Sequence, residues 1–408
     1  MPELRVPDLR RHVRPGDGVW WGQAAAEATP LVDALLDRLP ELGPVRAFGG
    51  LSVNPRLASP PDALALGSYG AMGTLRAAGA AGRLAVVPAH YAALPRLFAE
   101  RRLPVDVGLV QVSPPGPDGR CSLGIGVDYA ADAVPHTRTL IAEVNHRMPA
   151  TAGTDGVPRD RFAAVVETDR PLPAVPARPP DAVDHAVADR VAALVDDGDT
   201  LQIGVGSLPA AILDGLAGHR DLGFHSGMLT DGVLRLVAAG VVTGARKEVD
   251  PGLVVTGTAI GSTDLYTRLG EMPVAFRPAS HTHHPGVLAR LSRLVAVNSA
   301  LAVDLTGQVG AEVSGGRYLG GIGGQADFSG AAARTGARSV IALRSRGPDG
   351  ASAIVPALPA GVVTTARADV DVVVTEHGTA WLRGVPLDER PARLAAIAAP
   401  EHREALAR

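Results

Sequence analysis

Cysteine and aromatic residues are scarce in this 408-residue sequence. Its one cysteine, Cys121, cannot close an intramolecular disulfide or build a multi-cysteine zinc site, which predicts a cytoplasmic location. Three Trp, six Phe and five Tyr predict aliphatic cores and leave no aromatic platform for stacking bases. With 39 basic and 42 acidic residues, the net charge of -3 gives no electrostatic basis for a nucleic-acid or anionic-membrane partner.

Long apolar runs are also missing. No stretch of about 18 residues is both apolar and uncharged, and the first residues carry charges and prolines where a signal peptide needs an apolar segment. We therefore expect no export signal and no membrane span. Apolar residues still make up 46% of the chain, which is enough to build two or three domains and excludes general disorder.

Proline marks the clearest break in the chain. Residues 169–181, DRPLPAVPARPPD, contain five prolines, which remove backbone donors and favour extended structure. This pattern predicts a linker between an N-terminal domain, residues 1–168, and a C-terminal domain, residues 182–408. The alternative, one large Rossmann domain, fits such a linker poorly.

On both sides of the linker, short β-branched runs alternate with Ala- and Leu-rich segments of helical period. This alternation predicts an α/β fold with parallel sheets covered by helices. The predicted strands are 83–90, 105–114, 199–206, 293–305, 337–345, 361–366 and 370–378, and the predicted helices include 91–102 and 184–198.

Gly204, Val205 and Gly206 follow a predicted strand, and Pro209 opens an apolar helical segment. This order predicts a strand-to-helix turn whose backbone N–H groups suit a phosphate or a thioester oxygen. An ordinary βα turn explains the same pattern. The dinucleotide-binding glycine pattern and a Gly-Lys-Ser/Thr sequence are both absent, which disfavours NAD-binding and P-loop sites.

Residues 315–328, GGRYLGGIGGQADF, form a second glycine-rich segment. Its glycines allow a backbone to approach a ligand closely, and Gln325 and Asp327 place polar groups beside them. A flexible surface loop is the alternative. The glycines are Gly315, Gly316, Gly320, Gly321, Gly323 and Gly324.

Two further groups contain residue types that often form functional sites, but their sequence context does not favour one. His281, His283 and His284 lack the i, i+4 spacing that makes two imidazoles converge, so we predict no metal site. Cys121 lies beside Ser122, yet a lone cysteine is more often a small buried hydrophobe than a nucleophile.

Several ordered segments together resemble the acetyl-CoA hydrolase/transferase family, which includes 4-hydroxybutyrate CoA-transferase. The resemblance implies two CoA-transferase-like (NagB/RpiA-like) α/β domains with the active site at their interface, commonly in a homodimer. It also implies coenzyme A or acyl-CoA as substrate, with no bound cofactor. The matching segments are 103–129, 142–153, 201–213, 222–233, 318–328 and 372–384.

In similar enzymes a glutamate in a His-Ser/Thr-Glu-Met-x-x-Asp-Gly pattern attacks the acyl-CoA carbonyl, and a glutamyl-CoA thioester follows. Here the pattern runs from His225 to Gly232 as HSGMLTDG, so Gly227 stands where the family has its nucleophile. Glycine has no side chain, so a glutamyl-CoA intermediate is chemically unavailable at this position. The resemblance therefore predicts a pocket that is retained but used differently.

The first hypothesis is an enzyme that acts on an acyl-CoA or phosphopantetheine thioester without a glutamyl intermediate, in bacterial specialised metabolism. Gly323, Gly324 and Gln325 would polarise the carbonyl, His225 would be the general base, and the space left at Gly227 would admit water or a small-molecule acceptor. Hydrolysis, direct acyl transfer and cyclisation all remain open. The alternatives are a non-catalytic acyl-CoA-binding subunit, and CoA transfer through another carboxylate, Glu143 or Glu312.

Overall fold

The computed structural model describes residues 6–359 and 361–407, which form two compact units. The first unit runs up to Val175 and also includes residues 256–282 and 318–320. The second unit contains the remaining segments. The predicted second domain is one continuous segment, whereas the structure assigns two pieces of it to the first unit. Residues 169–181 contain no helix or strand, as their prolines require.

The strands are β1 Gly18–Trp21, β2 Val45–Phe48, β3 Leu64–Ser68, β4 Ala85–Val86, β5 Val107–Val112, β6 Arg120–Cys121, β7 Thr139–Asn145, β8 Val157–Pro158, β9 Phe162–Thr168, β10 Thr200–Ile203, β11 Gly223–His225, β12 Met228–Leu229, β13 Val254–Thr256, β14 Thr258–Ala259, β15 Val274–Phe276, β16 Leu294–Ser299, β17 Ala302–Asp304, β18 Val309–Gly310, β19 Val313–Ser314, β20 Arg317–Tyr318, β21 Arg338–Ala342, β22 Ile354–Val355, β23 Val372–Thr375 and β24 Gly378–Trp381. The α-helices are α1 Thr29–Leu42, α2 Leu75–Ala80, α3 Leu94–Ala99, α4 Asp128–Ala133, α5 Ala182–Ala192, α6 Ser207–Gly215, α7 Asp231–Ala238, α8 Thr263–Arg268, α9 Ala279–Thr282, α10 Pro285–Leu288, α11 Gln325–Thr335, α12 Arg390–Ala396 and α13 Pro400–Leu406.

A seven-stranded sheet forms the centre of the first unit, in the order β4-β3-β2-β1-β5-β7-β9. All neighbouring pairs are parallel. Every residue of β5 is buried, which explains its nearly continuous apolar sequence, because a parallel sheet is covered on both faces.

The core of the first unit is aliphatic only in part. Helix α1 buries six leucine and valine side chains against the sheet. Six of the few aromatic side chains form a second cluster. In it Phe98 contacts Phe48 at 5.5 Å, Tyr129 at 5.9 Å and Trp20 at 6.1 Å between ring centroids, and Tyr91 and Tyr69 extend the cluster from Tyr129. The prediction of purely aliphatic cores is therefore wrong here, because the chain concentrates its scarce aromatics in one place.

In the second unit, β13, β11, β10, β16, β21 and β23 lie side by side in that order as parallel strands, and β24 adds an antiparallel edge. The chain leaves β10 towards β11 and returns on its other side as β16. In such sheets, ligands bind beyond the carboxyl ends of the strands where the winding direction reverses. A ligand site is therefore expected at the carboxyl ends of β10 and β11.

Two of the predicted strands differ from the structure. Residues 293–305 form β16 and β17, which belong to different sheets. Residues 361–366 form no strand, because the N–H groups of Thr364 and Thr365 both donate to the single carbonyl of Val309, at 2.7 and 3.2 Å. Among the residues that the structure describes, no helix has the length and apolar character needed to cross a membrane.

Candidate active site

The predicted strand-to-helix turn is present at the carboxyl end of β10. The strand ends at Ile203 and α6 begins at Ser207, two residues before Pro209. Gly206 precedes the helix with φ +128°, a conformation that favours glycine. The side chain of Val205 is 43% exposed. The turn is confirmed as local structure, and its role in binding a ligand stays a prediction.

The neighbouring strand β11 ends at His225, and Ser226 and Gly227 follow it. His225 is fully buried, and the Ser226 hydroxyl donates a hydrogen bond to the Ile203 carbonyl oxygen at 3.0 Å. The Ser226 N–H donates to the Val255 carbonyl oxygen at 3.1 Å. These bonds tie the ends of adjacent strands together and engage the hydroxyl of Ser226 in the fold.

The space beside Gly227 is occupied. A Cβ atom added to Gly227 would lie 2.9 Å from Cε1 and 3.0 Å from Nε2 of His283. The φ angle of Gly227 lies outside the left-handed region, so its backbone conformation does not by itself require glycine. The imidazole of His283 instead lies where a side chain at position 227 would begin. The expectation that Gly227 leaves a vacant space for another group is therefore wrong.

The same imidazole lies against Gly324. A Cβ at Gly324 would lie 2.4 Å from Nε2 of His283, although Gly324 has an ordinary helical conformation, φ -84° and ψ -5°. The edge of the Phe328 ring also packs against His283, with 5.0 Å between ring centroids. We call His283, Gly227, Gly324 and Phe328 the imidazole clamp.

Burial determines the charge of His283. The side chain is 4% exposed, and burial, with a smaller contribution from nearby His225, lowers the pKa of His283 to about 3. The imidazole is therefore neutral at neutral pH. Gly227 and Gly324, which lie against the ring, are both intermediate in exposure.

The histidine cluster separates into three local roles. His281 lies in α9 and lines a cavity of the first unit with Asp132 and Arg277. His284 is the N-cap residue before α10, and its Nδ1 accepts a hydrogen bond from the Gly286 N–H at 3.1 Å. Among the described residues, no three metal-ligating side chains are grouped as a metal site requires. The contact of His283 with Gly227 could not be predicted from the sequence, because no spacing rule relates residues 56 positions apart.

The glycines of the second glycine-rich segment, residues 315–328, differ in conformation and contacts. Gly315, Gly316 and Gly323 have φ of +57°, +74° and +52°, which are turn conformations. The Gly320 carbonyl accepts a hydrogen bond from the Ala71 N–H at 2.9 Å within the first unit. The predicted contact of these glycines, and of Gly321, with a ligand stays a prediction.

Gln325 is the first residue of α11, directly after Gly324. Its side-chain Nε2 atom is buried and has no hydrogen-bond partner among the described residues. A buried amide donor without a partner costs free energy unless a ligand or water satisfies it. This observation makes Gln325 the best-supported donor among the residues predicted from the sequence.

The other predicted candidates have structural partners. Glu143 is fully buried and paired with Arg170, whose NH2 group lies 2.9 Å from Oε2. Glu312 is buried and accepts a hydrogen bond from Thr364 at 2.9 Å, and burial raises its pKa. Cys121 is buried, and burial raises the pKa of its thiol, which favours packing over nucleophilic chemistry.

The two parallel-rich sheets, with their order of strands and covering helices, have the CoA-transferase fold. The structure of RipA from Yersinia pestis matches with a TM-score of 0.90 and 31% identity, covering 97% of this chain and 94% of that one. The 4-hydroxybutyrate CoA-transferase structure from Porphyromonas gingivalis matches with a TM-score of 0.82 and 33% identity, over 97% and 94% of the two chains.

Sequence comparison gives the family. The N-terminal domain of acetyl-CoA hydrolase/transferase matches residues 6–176, and its C-terminal domain matches residues 261–408. The 4-hydroxybutyrate coenzyme A transferase of Clostridium kluyveri is 39% identical over 340 residues, 82% of this chain and 79% of that protein. The chain belongs to the acetyl-CoA hydrolase/transferase family.

The imidazole clamp predicts an energetic coupling between positions 227 and 283. Gly227→Ala places a methyl group inside contact distance of the His283 ring, so we expect a loss of about 1–3 kcal/mol in unfolding free energy. In a His283→Ala background the same substitution should cost at least about 1 kcal/mol less. Urea unfolding of the four proteins measures the coupling.

Gly218→Ala is the matched control for this cycle, because a Cβ there would meet no atom within 4 Å. It should leave the unfolding free energy nearly unchanged in both backgrounds. Equal effects of Gly227→Ala with and without His283 would contradict the contact.

The buried neutral imidazole also predicts a pH dependence of stability. The pKa of a histidine is about 6.5 in the unfolded chain, and that of native His283 is lowered to about 3. Between these pH values the unfolded state therefore binds one more proton than the native state. Stability should therefore fall as pH decreases from about 6.5 towards 4. His283→Asn should reduce this slope by up to about 1.4 kcal/mol per pH unit in urea unfolding, and an identical slope would contradict the assignment.

Glu143 provides a test of the structural role assigned to a candidate nucleophile. Glu143→Gln leaves Arg170 without its carboxylate, so we expect a loss of about 3 kcal/mol in unfolding free energy. The control is Glu100→Gln, which removes a surface pair with Arg96 and should stay close to wild type. A wild-type stability for Glu143→Gln would show that the pair does not stabilise the fold.

Proposed function

We propose that this protein acts on an acyl-CoA or related thioester without forming a glutamyl-CoA intermediate. Family membership supports the thioester, because the family is that of acetyl-CoA hydrolases and transferases. The observation that carries the mechanistic part is the contact between Gly227 and His283. The position that holds the glutamate in similar enzymes has no side chain here, and a Cβ added there would lie 2.9 Å from Cε1 and 3.0 Å from Nε2 of His283.

The chemistry that remains is direct attack on the thioester carbonyl by an acceptor. The attacking atom forms a bond to the carbonyl carbon, the C–S bond breaks, and CoA leaves as a thiol after taking a proton. Gln325 supports this mechanism, since its buried Nε2 can donate to the carbonyl oxygen as negative charge develops there. Water as acceptor gives hydrolysis, and an amine, hydroxyl or carbanion gives acyl transfer or ring closure.

His225 contributes in this proposal from the end of β11. Its full burial places a poorly hydrated environment beside the clamp. Such an environment strengthens any hydrogen bond to the reacting carbonyl, because few water molecules compete. A homodimer in the cytoplasm and a place in bacterial specialised metabolism complete the proposal.

The test is thiol release from a panel of short acyl-CoAs, each offered water, amine, hydroxyl and carboxylate acceptors. The wild-type protein should release CoA thiol with at least one acceptor other than a carboxylate. Gly227→Glu alone should lose both stability and this activity, since its Cβ would lie 2.9 Å from the His283 ring. Gly227→Glu combined with His283→Asn should gain CoA transfer to acetate, because the smaller side chain leaves room for the carboxylate.

A different pattern would support the non-catalytic alternative. If the wild-type protein binds acyl-CoA in calorimetry but releases no thiol, while the double variant gains CoA transfer, the pocket binds acyl-CoA without turning it over. The proposed reaction would then be wrong, and a role as an acyl-CoA-binding subunit would replace it.

A further inference from the structure

The first unit contains a cavity of about 660 Å³ that none of the residues assigned to the proposed reaction lines. Small-molecule sites usually have volumes of about 300–1,000 Å³. The walls come mainly from the paired strands β6 and β8, from helix α4 and from residues 277–281. All lining residues belong to the first unit, whereas the four residues of the imidazole clamp belong to the second. The cavity and the clamp therefore share no residue.

Two guanidinium groups at this cavity are oriented by main-chain oxygens. Arg120 donates from Nε to the Asp155 carbonyl oxygen, and from NH2 to the Gly156 carbonyl oxygen at 3.0 Å. NH2 of Arg161 donates to the Thr137 carbonyl oxygen. Among the residues that the structure describes, neither of the two arginines forms an ion pair with a carboxylate. Because a carbonyl oxygen carries only a partial charge, both guanidinium groups keep most of their positive charge in a fixed orientation.

The other charged groups of the lining limit which anion fits. Arg277 adds a third guanidinium, and Asp132 and Asp155 add two carboxylates. Burial raises the pKa of Asp132 to about 6, so this carboxylate is mostly charged at neutral pH. With His281 counted as neutral, the lining has one net positive charge. This balance matches a ligand with a single negative charge better than a phosphate dianion.

The cavity also has an apolar lining, which suits the carbon chain of a ligand. Helix α4 and the residues after it contribute part of this lining, and the β6–β8 region contributes another part. The apolar residues are Leu123, Ala131, Val134, Pro135, Val157, Pro158 and Pro278.

We propose that this cavity binds a small monocarboxylate with a short apolar chain, and that Arg120 and Arg161 hold its carboxylate group. The planar donors of a guanidinium match the two oxygens of a carboxylate, and such charge-assisted hydrogen bonds are stronger than neutral ones. The bound anion supplies the counter-charge that the described residues do not give to these two arginines. Binding needs no thioester and no turnover, so this inference does not rest on the proposed function.

A ligand-observed NMR titration of the full chain with butyrate, in the absence of any thioester, tests the proposal. Butyrate should bind saturably. Butyramide has the same carbon chain without the charge, so it should bind at least about tenfold more weakly, since it loses the hydrogen bonds to a charged group. Inorganic phosphate has no apolar part, and it should also bind more weakly than butyrate.

Two variants locate the binding site by different means. Arg161→Gln changes an exposed side chain and should weaken butyrate binding by at least about tenfold. Ala131→Phe leaves the charge unchanged and places a ring in the cavity, so it should weaken binding to a similar extent. Arg102→Gln is the matched control, because it removes an exposed arginine of the first unit that does not line the cavity. It should keep the wild-type affinity.

Three results would overturn the proposal. These are no saturable binding of butyrate to the folded wild-type protein, wild-type affinity in both Arg161→Gln and Ala131→Phe, or tighter binding of phosphate than of butyrate. None of these measurements involves thiol release. Failure of this inference and failure of the proposed function are therefore observed separately.

Discussion

The packing of one imidazole between two glycines limits which side chains the candidate site can hold. His283 lies so close to Gly227 and Gly324 that neither position can carry a side chain without displacing the ring. A side chain at position 227 therefore requires the imidazole of His283 to move. Gly227, His283 and Gly324 form one three-residue arrangement, in which a change at one position affects the packing of the other two.

Three separate elements bring this arrangement together. Gly227 follows β11, His283 precedes α10 and Gly324 precedes α11, so residues far apart in sequence meet beside the carboxyl end of β11. The hydrogen bond from Ser226 to Ile203 fixes the end of β11, so Gly227 is held in place by the sheet. Burying the ring in its uncharged form costs far less free energy than burying an imidazolium would.

Much of the fold could be predicted from local patterns, because proline, glycine and β-branched residues act over a few positions. The linker at 169–181, the turn at 204–206 and most strands follow from such rules. Residues 361–366 were wrongly predicted to form a strand. Their β-branched composition does not determine which carbonyl accepts their N–H hydrogen bonds. The aromatic cluster around Phe98 also depends on packing between distant segments.

The candidate site was predictable only in outline. The HSGMLTDG pattern identified Gly227, and the sequence placed Gln325 beside the glycine-rich segment. What fills the space at Gly227 could not be predicted, because the interpretation of three adjacent histidines rested on spacing along one short segment. In the structure those residues face different surroundings, and only His283 meets β11 and α11.

The central claim is that thioester turnover here proceeds without a covalent enzyme intermediate. Intact-protein mass analysis after mixing the protein with acyl-CoA and borohydride tests it most directly, since borohydride reduces an enzyme-bound acyl thioester or anhydride. We predict an unchanged protein mass during turnover, with the Gly227→Glu and His283→Asn double variant as positive control. A reduced carboxylate or a CoA adduct on the wild-type chain would contradict the claim and would identify the residue that carries the intermediate.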